Sequence, residues 1–401
     1  MPTSQDAHNI TTLATDDLLS HGPLLVWGAL FMNVLAFSGL DTFIPIPTSI
    51  GKVVTQGALV VAVFAALLAN PRGIVRPNLF MVLLSLLAVV SLTVSLHNEF
   101  FLGSTFRAAR LITFVAVLWL LTPFWAHPNL PLLKAHLMCL RLVVASVAIG
   151  AVVAPGAAFS YGGRLSGALW PIPPTQVAHY AAVLLGCTAL LWFAGAVRTR
   201  TAVITVAVSS AMLVGAHTRT AVLALVVGLG IAGASMFVGH ARVRRLSAVV
   251  AVAGVFAAAF FAPFINSWLW RGQSADEASQ LTGRTKVWSM IADLRRPWAE
   301  QVFGSGLSNK SFDGLPIDSN WLAVYLDQGW FGIAVDAALL LILVLLAATN
   351  GRGLNRALAL FLVAYCAVAS FTETGLGDAS PYLLELFVAA SLIATPGGGD
   401  R

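Results

Sequence analysis

Long stretches of this chain contain no Asp, Glu, Lys or Arg. Examples that reach the roughly 20 residues needed for a membrane-spanning helix are 18–40, 77–98, 111–133, 220–241 and 246–270. Hydrophobic residues make up 58% of the 401 residues and charged residues 10%, whereas soluble globular proteins contain about 25% charged residues. A soluble fold of this size has too little interior to bury so much apolar surface. The sequence therefore predicts an all-α polytopic membrane protein whose partner is the lipid bilayer.

Hydropathy predicts about twelve transmembrane helices. The expected segments are 23–40, 53–69, 78–96, 109–126, 132–154, 176–197, 201–216, 220–239, 246–267, 319–347, 357–372 and 380–395. Residues 1–22 are then a cytoplasmic N-terminal tail, which lacks the basic start of a signal peptide. Residues 23–401 are expected to form a single transmembrane helical domain.

Basic residues cluster in alternate connections, and this bias sets the expected orientation because short cytoplasmic loops are enriched in Lys and Arg. The predicted cytoplasmic residues are Arg72, Arg76, Lys134, Arg198, Arg200, Arg242, Arg244, Arg245, Arg352 and Arg356. Both termini then lie in the cytoplasm, and the protein is a multi-pass protein of the inner (plasma) membrane. The net charge of +6 reflects these topology signals and indicates no nucleic-acid partner.

Ten other basic residues fall on or near the predicted outer side, against the usual bias. They are Arg107, Arg110, Arg164, Arg219, Arg271, Arg284, Lys286, Arg295, Arg296 and Lys310. Surface solvation or contact with lipid headgroups is one interpretation of any single residue. The more specific interpretation is a shared anion site that faces outward.

One connection, residues 268–318, is much longer than the others and is predicted to be a large extracytoplasmic loop, since long loops tend to carry function. Residues 283–294 within it have apolar side chains at the i, i+3, i+4 and i+7 positions of an amphipathic helix: Val287, Met290, Ile291 and Leu294. We expect this helix to lie on the membrane surface, with Trp288 and Trp298 at headgroup level.

The sequence contains no phosphate-binding loop and no zinc or calcium motif. The three cysteines, Cys139, Cys187 and Cys366, lie in apolar stretches without metal-ligand spacing, so they are expected to be small core residues. We therefore predict chemistry that requires no cofactor and no metal ion.

Three outer arginines have neighbours that suit a diphosphate ligand. Arg164 follows two glycines, Arg219 lies between two threonines, and Arg284 follows a glycine. Guanidinium groups bind phosphate oxygens in bidentate fashion, and glycine backbone or threonine hydroxyl groups add donors. The sequence predicts that Arg164, Arg219 and Arg284 bind a substrate diphosphate.

Carboxylate and amide side chains near the same membrane face are the candidate catalytic groups. Asp318 and Asn320 lie where the long loop re-enters the membrane, and Glu373 lies at the outer end of the eleventh predicted helix. These groups can orient a sugar hydroxyl, although a carboxylate at a helix N-terminus can also simply cap it. Asp336 and Glu385 lie inside apolar helices, where charge is costly, and are expected to face the bundle interior.

These motifs together resemble the O-antigen ligase/polymerase family, over roughly residues 160–390. The matching elements are Arg164-Leu-Ser-Gly167 before a proline-rich loop, Thr218-Arg219-Thr220, Gly283-Arg284 with Trp288, Gly304-Ser-Gly306, Asp318-Ser-Asn320-Trp-Leu running into Gly329-Trp-Phe-Gly332, and Glu373. The resemblance implies a bundle of the metal-independent membrane glycosyltransferase (GT-C) type. It also implies transfer or polymerisation of a glycan from a polyprenyl-diphosphate-linked donor onto a lipid or growing-chain acceptor.

One departure from the family concerns the acceptor base. Ligases of this family typically carry His-Asn at the re-entry motif, whereas this chain has Asp318-Ser319-Asn320. Either Asp318 replaces the histidine as base, or the activity is polymerisation rather than ligation, or activity is lost. His179 and His217 are further candidate bases. The alternatives from other classes are a transporter or flippase of lipid-linked sugars and a non-catalytic membrane scaffold.

Overall fold

The computed structural model of the protein describes residues 22–38, 41–97, 101–127, 129–237, 268, 284–349 and 353–394. Residues 1–21 of the predicted tail and the expected ninth helix, 246–267, lie outside this part of the chain.

The described residues are mostly helical, and each of the other predicted segments contains an apolar helix. The helices, in chain order, are α1 Gly22–Val34, α2 Thr48–Ala69, α3 Leu79–Ser95, α4 Phe101–Leu121, α5 Pro131–Val153, α6 Pro155–Ala158, α7 Pro174–Phe193, α8 Thr199–Gly215, α9 Arg219–Phe237, α10 Arg284–Ala292, α11 Trp298–Phe303, α12 Asn320–Thr349, α13 Leu354–Ala369 and α14 Pro381–Ile393. A 3-10 turn, Thr122–Phe124, follows α4.

A short antiparallel hairpin interrupts the helical pattern, with strands β1 Ser311–Phe312 and β2 Leu315–Pro316. Its two turn residues, Asp313 and Gly314, both have positive φ, at 50° and 74°. Asp-Gly is a typical sequence for a two-residue hairpin turn. The fold is therefore helical with one small addition in the long connection.

Six described helices, among them α2, α5 and α9, are long and apolar enough to cross a membrane. Large apolar side chains on their outer surfaces are exposed, for example Leu68 at 78% and Val152 at 83%. Water-soluble proteins rarely expose continuous apolar surface. The apolar exterior therefore supports the predicted bilayer environment.

The interior of the bundle is formed by α7, α13 and α14, and every residue of α14 is buried. Phe361 of α13 packs where α7 and α9 each have a glycine. A Cβ added to Gly186 would stand 2.0 Å from Phe361, and one added to Gly228 would stand 2.9 Å away. Small residues thus allow these helices to approach closely, as is common in membrane bundles.

Connections between the helices meet at two ends. At the end that we call the upper end, α1, α3, α5, α8 and α13 finish. Backbone hydrogen bonds join their connections there, including Phe43 N to Ala168 O (2.8 Å) and Leu165 N to Gly215 O (2.9 Å). The predicted outer residues Arg164, Arg219 and Glu373 belong to this end.

The opposite end of the bundle, which we call the lower end, carries the remaining connections between the described helices. Asn70 Nδ2 donates to Leu120 O at 3.1 Å, and Arg76 Nη1 donates to Trp125 O at 3.0 Å. By the order of the helices, the described basic residues that were predicted to be cytoplasmic lie at this lower end. They are Arg72, Arg76, Lys134, Arg198, Arg200 and Arg356. Apolar helices therefore separate this basic group from the predicted outer site.

The long helix α12 is not the continuous span that hydropathy predicts. Gly329 has φ 65° and ψ −162°, which breaks the helix into a first arm, residues 320–328, and a second arm, residues 330–349. Asn320 Nδ2 donates to Asp336 Oδ2 at 2.8 Å, although a straight helix would separate these residues by about 24 Å. The two arms therefore fold back against each other in a sharp V.

Glycine is required on both sides of this bend. A Cβ on Gly329 would stand 2.4 Å from the carbonyl carbon of Val302, and one on Gly304 would stand 2.2 Å from that of Asp327. Both residues also have positive φ, which side chains disfavour. The backbone after α11 thus packs directly onto the bend.

Residues of the long connection donate hydrogen bonds to the carbonyl groups at the end of the first arm. Arg296 donates to Leu326 O at 3.2 Å and to Tyr325 O at 3.1 Å, and its guanidinium lies 4.2 Å from the centre of the Tyr325 ring. Ser305 N also donates to Leu326 O, and Gly306 N donates to Asp327 O. An arginine at a helix C-terminus stabilises the exposed carbonyls and the helix dipole.

The predicted amphipathic helix 283–294 is present as α10. Val287 and Ile291 are buried against Ile317, Ala323 and Leu326 around the first arm of α12, whereas Leu294 is exposed. Trp298 is 74% exposed. The apolar stripe of α10 therefore contacts protein.

The bend predicts that a side chain at position 329 lowers the stability of the fold. We expect Gly329→Ala to lower the melting temperature in detergent by several degrees, because positive φ costs a side chain about 1–3 kcal/mol and the new Cβ clashes with Val302. Gly230→Ala is the matched control, since nothing lies within 4 Å of the added Cβ. Equal melting temperatures for the two variants would contradict the bend.

The two ends predict different accessibility in intact cells. We expect a cysteine at Trp298 to react with a membrane-impermeant maleimide, and a cysteine at Arg200 to react only after permeabilisation. The native cysteines are all buried, so background labelling should be low. Labelling of position 200 alone from outside would reverse the predicted orientation.

Candidate functional site

Arg164 is held by the turn that leads into α9. Its Nε donates to Ala216 O and its Nη2 donates to Thr218 Oγ1, each at 3.1 Å. The guanidinium also lies 5.9 Å from the centre of the Tyr161 ring. The connection after α5 and the turn before Arg219 are thereby joined, so the first two predicted diphosphate-binding arginines lie on neighbouring segments.

Arg219 begins α9, and the next residue contacts the segment that carries Glu373. Thr372 Oγ1 donates to Thr220 Oγ1 at 2.8 Å. Arg219 and Glu373 are therefore each adjacent in sequence to one member of a hydrogen-bonded pair. Glu373 is half-buried, and its N–H donates to Ala369 O at the end of α13.

Asn320 connects α12 to the same segment. Its Oδ1 accepts from Gly375 N at 3.0 Å and from Leu376 N at 2.8 Å, and its Nδ2 donates to Asp336. Its backbone N–H donates to Ser370 O. The side chain is 1% exposed, so its amide orders the residues around it.

Asp318 is half-buried two residues before Asn320. Arg284 is the first residue of α10, the helix that packs beside this part of the chain, and its side chain lies outside the described atoms. The structure thus connects Arg164, Arg219, Glu373 and Asn320 through hydrogen-bonded segments. It leaves the contact between Arg284 and the other residues a prediction.

A second polar group lies at the bend of α12. Lys310 forms an ion pair with Asp327, and its Nζ is 4.0 Å from Asp378 Oδ2. Burial lowers the pKa of the Lys310 ammonium, but the carboxylates of Asp327 and Asp378 outweigh burial and raise it above its usual value. Lys310 is therefore charged at neutral pH and ties the long connection to α12.

Arg110 of α4 reaches the same region. It donates to Asn33 O at 3.1 Å and Asn33 Oδ1 at 3.2 Å, and it also donates to Ala379 O at 3.3 Å. From the sequence, Arg110 and Lys310 are predicted only to be outer basic residues. No local pattern predicts a role for Asp327 and Asp378, whose partners are distant in sequence.

The bundle interior contains one further ionisable group of residues. His179 Nε2 lies 2.8 Å from Glu385 Oε1, with exposures of 2% and 0%, and Cys366 Sγ lies 3.3 Å from Glu385 Oε2. The His179 ring packs against Tyr382, with ring centres 4.3 Å apart. The expectation that Glu385 faces the interior is confirmed. His217, the other candidate base, stacks on Trp268.

No model of a known protein family matches this chain, and no curated protein matches it significantly.

The Lys310–Asp327 pair predicts a rescue experiment. We expect Lys310→Met to destabilise the protein by about 3–5 kcal/mol, because it leaves the buried Asp327 carboxylate without its cation. The double variant Lys310→Met, Asp327→Leu should recover most of that loss in thermal unfolding in detergent. Additive losses in the double variant would show that the two side chains do not stabilise each other.

Proposed function

We propose that this protein transfers a glycan from a polyprenyl-diphosphate carrier to a glycan or lipid acceptor at the outer face of the inner membrane. The observation that supports this most is the contact between the Arg219 turn and the Glu373 segment, made by Thr220 and Thr372. It brings a cationic turn and a carboxylate segment together at one end of an apolar bundle. Glycan transfer needs a cationic group that stabilises the diphosphate leaving group and, beside it, a carboxylate that accepts the proton of the acceptor hydroxyl.

In the proposed topology, residues 246–267 are the ninth of twelve spans and the upper end faces away from the cytoplasm. The carrier lipid then remains in the bilayer while its diphosphate lies at the level of Arg164 and Arg219. Residues 268–318 are then the extracytoplasmic loop, and Arg284 is the third proposed diphosphate-binding arginine. The basic lower end faces the cytoplasm, in agreement with the positive-inside rule.

The reaction is a direct displacement. The acceptor hydroxyl oxygen forms a bond to the anomeric carbon while the bond between that carbon and the diphosphate oxygen breaks. The electron pair of that bond leaves with the diphosphate, whose growing negative charge the guanidinium groups stabilise. The hydroxyl proton passes to a carboxylate, for which Asp318 and Glu373 are the candidates.

Asn320 has a different task in this proposal. Its amide oxygen holds the backbone N–H groups of Gly375 and Leu376, two and three residues after Glu373. Asn320 therefore acts as a positioning residue for the carboxylate segment. The burial of its side chain supports this assignment over direct contact with substrate.

A transporter or flippase of lipid-linked sugars is the second candidate. The break of α12 at Gly329 favours it, because discontinuous helices commonly form the binding sites of transporters. Transfer cleaves the bond between glycan and diphosphate, whereas transport leaves it intact. A radiolabelled polyprenyl-diphosphate glycan incubated with the purified protein in nanodiscs distinguishes the two by its products.

The transfer proposal predicts how loss of the positive charge of Arg219 changes the rate of glycan transfer. We expect Arg219→Ala to lower glycan transfer from that donor by about 100-fold or more, since loss of a donor to the developing charge costs about 3 kcal/mol. Arg219→Lys should retain part of the rate, because the charge remains while the bidentate geometry is lost. Arg198→Ala at the lower end is the matched control and should keep the full rate.

Equal expression and melting temperature must accompany the loss in Arg219→Ala, so that unfolding is not its cause. A full rate in Arg219→Ala would remove Arg219 from the proposed diphosphate site. Movement of uncleaved donor across the membrane by the wild-type protein would instead support transport.

A further inference from the structure

Three buried oxygen atoms near the bend of α12 accept no hydrogen bond from the described part of the chain. They are Asp327 Oδ1, Gln328 Oε1 and Asp336 Oδ1, and each side chain is 1% exposed. A buried polar atom without a partner costs about 1–3 kcal/mol. Their grouping therefore indicates a bound species.

The amide of Gln328 is fixed by its own donors. Its Nε2 donates to Ser91 Oγ of α3 at 2.9 Å and to Gly377 O at 3.0 Å. The Oε1 atom must then point away from both acceptors. This orientation makes Gln328 Oε1 an acceptor that lies beside Gly377.

Asp336 lies beside the same glycine. A methyl group added to Gly377 would stand 2.7 Å from Gln328 Oε1 and 3.3 Å from Asp336 Oδ1. The other oxygen of Asp336 already accepts from Asn320 Nδ2. Two unpartnered acceptors therefore lie close to one glycine, where a side chain would clash with the Gln328 oxygen.

The charged groups around these two acceptors come from several parts of the chain. The cations are Lys310 from the long connection and Arg110 from α4, with Arg107 one turn before Arg110. The carboxylates are Asp327 and Asp336 of α12 and Asp378 of the segment before α14. Lys310 pairs with Asp327 and lies near Asp378, α3 contributes the neutral Ser91, and no described cation forms an ion pair with Asp336. An uncompensated buried charge is costly.

We propose that Asp336 is a proton-binding site. A proton on Asp336 Oδ1 donates to Gln328 Oε1 while Oδ2 continues to accept from Asn320. Asp336 then bridges the start and the end of the first arm of α12, and its own buried charge is removed. This site is independent of the proposed glycan transfer, because it requires only the fold.

The test compares two substitutions of nearly equal size. In Asp336→Asn, the amide donates to Gln328 and accepts from Asn320 without any proton, so we expect a melting temperature in detergent within about 2 °C of the wild type near neutral pH. Asp336→Leu removes both hydrogen bonds and should lower it by about 5 °C or more. Difference infrared spectroscopy should detect a protonated carboxyl group in the wild type that is absent from Asp336→Asn.

The need for a proton also predicts that the stability of the wild type depends on pH. Raising the pH from about 5 to about 9 should destabilise the wild type relative to Asp336→Asn, because removal of the proton breaks the bridge to Gln328. Destabilisation of Asp336→Asn equal to that of Asp336→Leu would overturn the proposal. An increase in the melting temperature of the wild type alone by Na⁺ would also overturn it, since a metal cation would then neutralise Asp336.

Discussion

The hydrogen bond between Asn320 and Asp336 is the contact on which the upper end of the molecule depends. It holds together residues that a straight helix would place far apart, and so it fixes the two arms of α12 in a V. The same amide holds Gly375 and Leu376 through its oxygen. One buried side chain thus orders the re-entry of the long connection, the second arm of α12 and the segment that carries Glu373.

The bilayer explains why polar groups gather in this way. Lipid provides no hydrogen bonds, so charged and amide groups buried in an apolar bundle are expected to find partners within the protein. Lys310 and Asp327 do so as an ion pair, and Arg110 does so with Asn33 and Ala379. The outer surfaces of the helices remain apolar, and the polar contacts concentrate where the connections meet.

Much of the helical framework could be predicted from the sequence, because apolar length is a direct signal of a helix in lipid. The amphipathic spacing of Val287 and Ile291 likewise predicted α10. Hydropathy could not reveal the bend in α12, since the run after Asn320 is apolar whether or not Gly329 adopts positive φ. Asp313-Gly314 carried a recognisable turn signal that the helical interpretation overlooked.

The candidate site was predictable only in its composition. Motifs identified Arg164, Arg219 and Glu373 as polar residues of one face, but the contact between Thr220 and Thr372 joins positions 152 residues apart. Asn320 was predicted to be a catalytic residue, and this stays a prediction; its side chain is buried and is hydrogen-bonded to Asp336, Gly375 and Leu376. Pairs such as Lys310 with Asp327 depend on the bend, which no local pattern specifies.

The most direct test of the account is a disulfide cross-link between Thr220→Cys and Thr372→Cys in native membranes. Their hydroxyl oxygens are 2.8 Å apart, and disulfides require β-carbons within about 4.5 Å. The account predicts that a mild oxidant forms this cross-link, detected by mass spectrometry of the linked peptides, while a Thr199→Cys, Thr372→Cys pair from opposite ends stays reduced. Absence of the first cross-link, or equal formation of both, would contradict a site in which the Arg219 turn and the Glu373 segment meet.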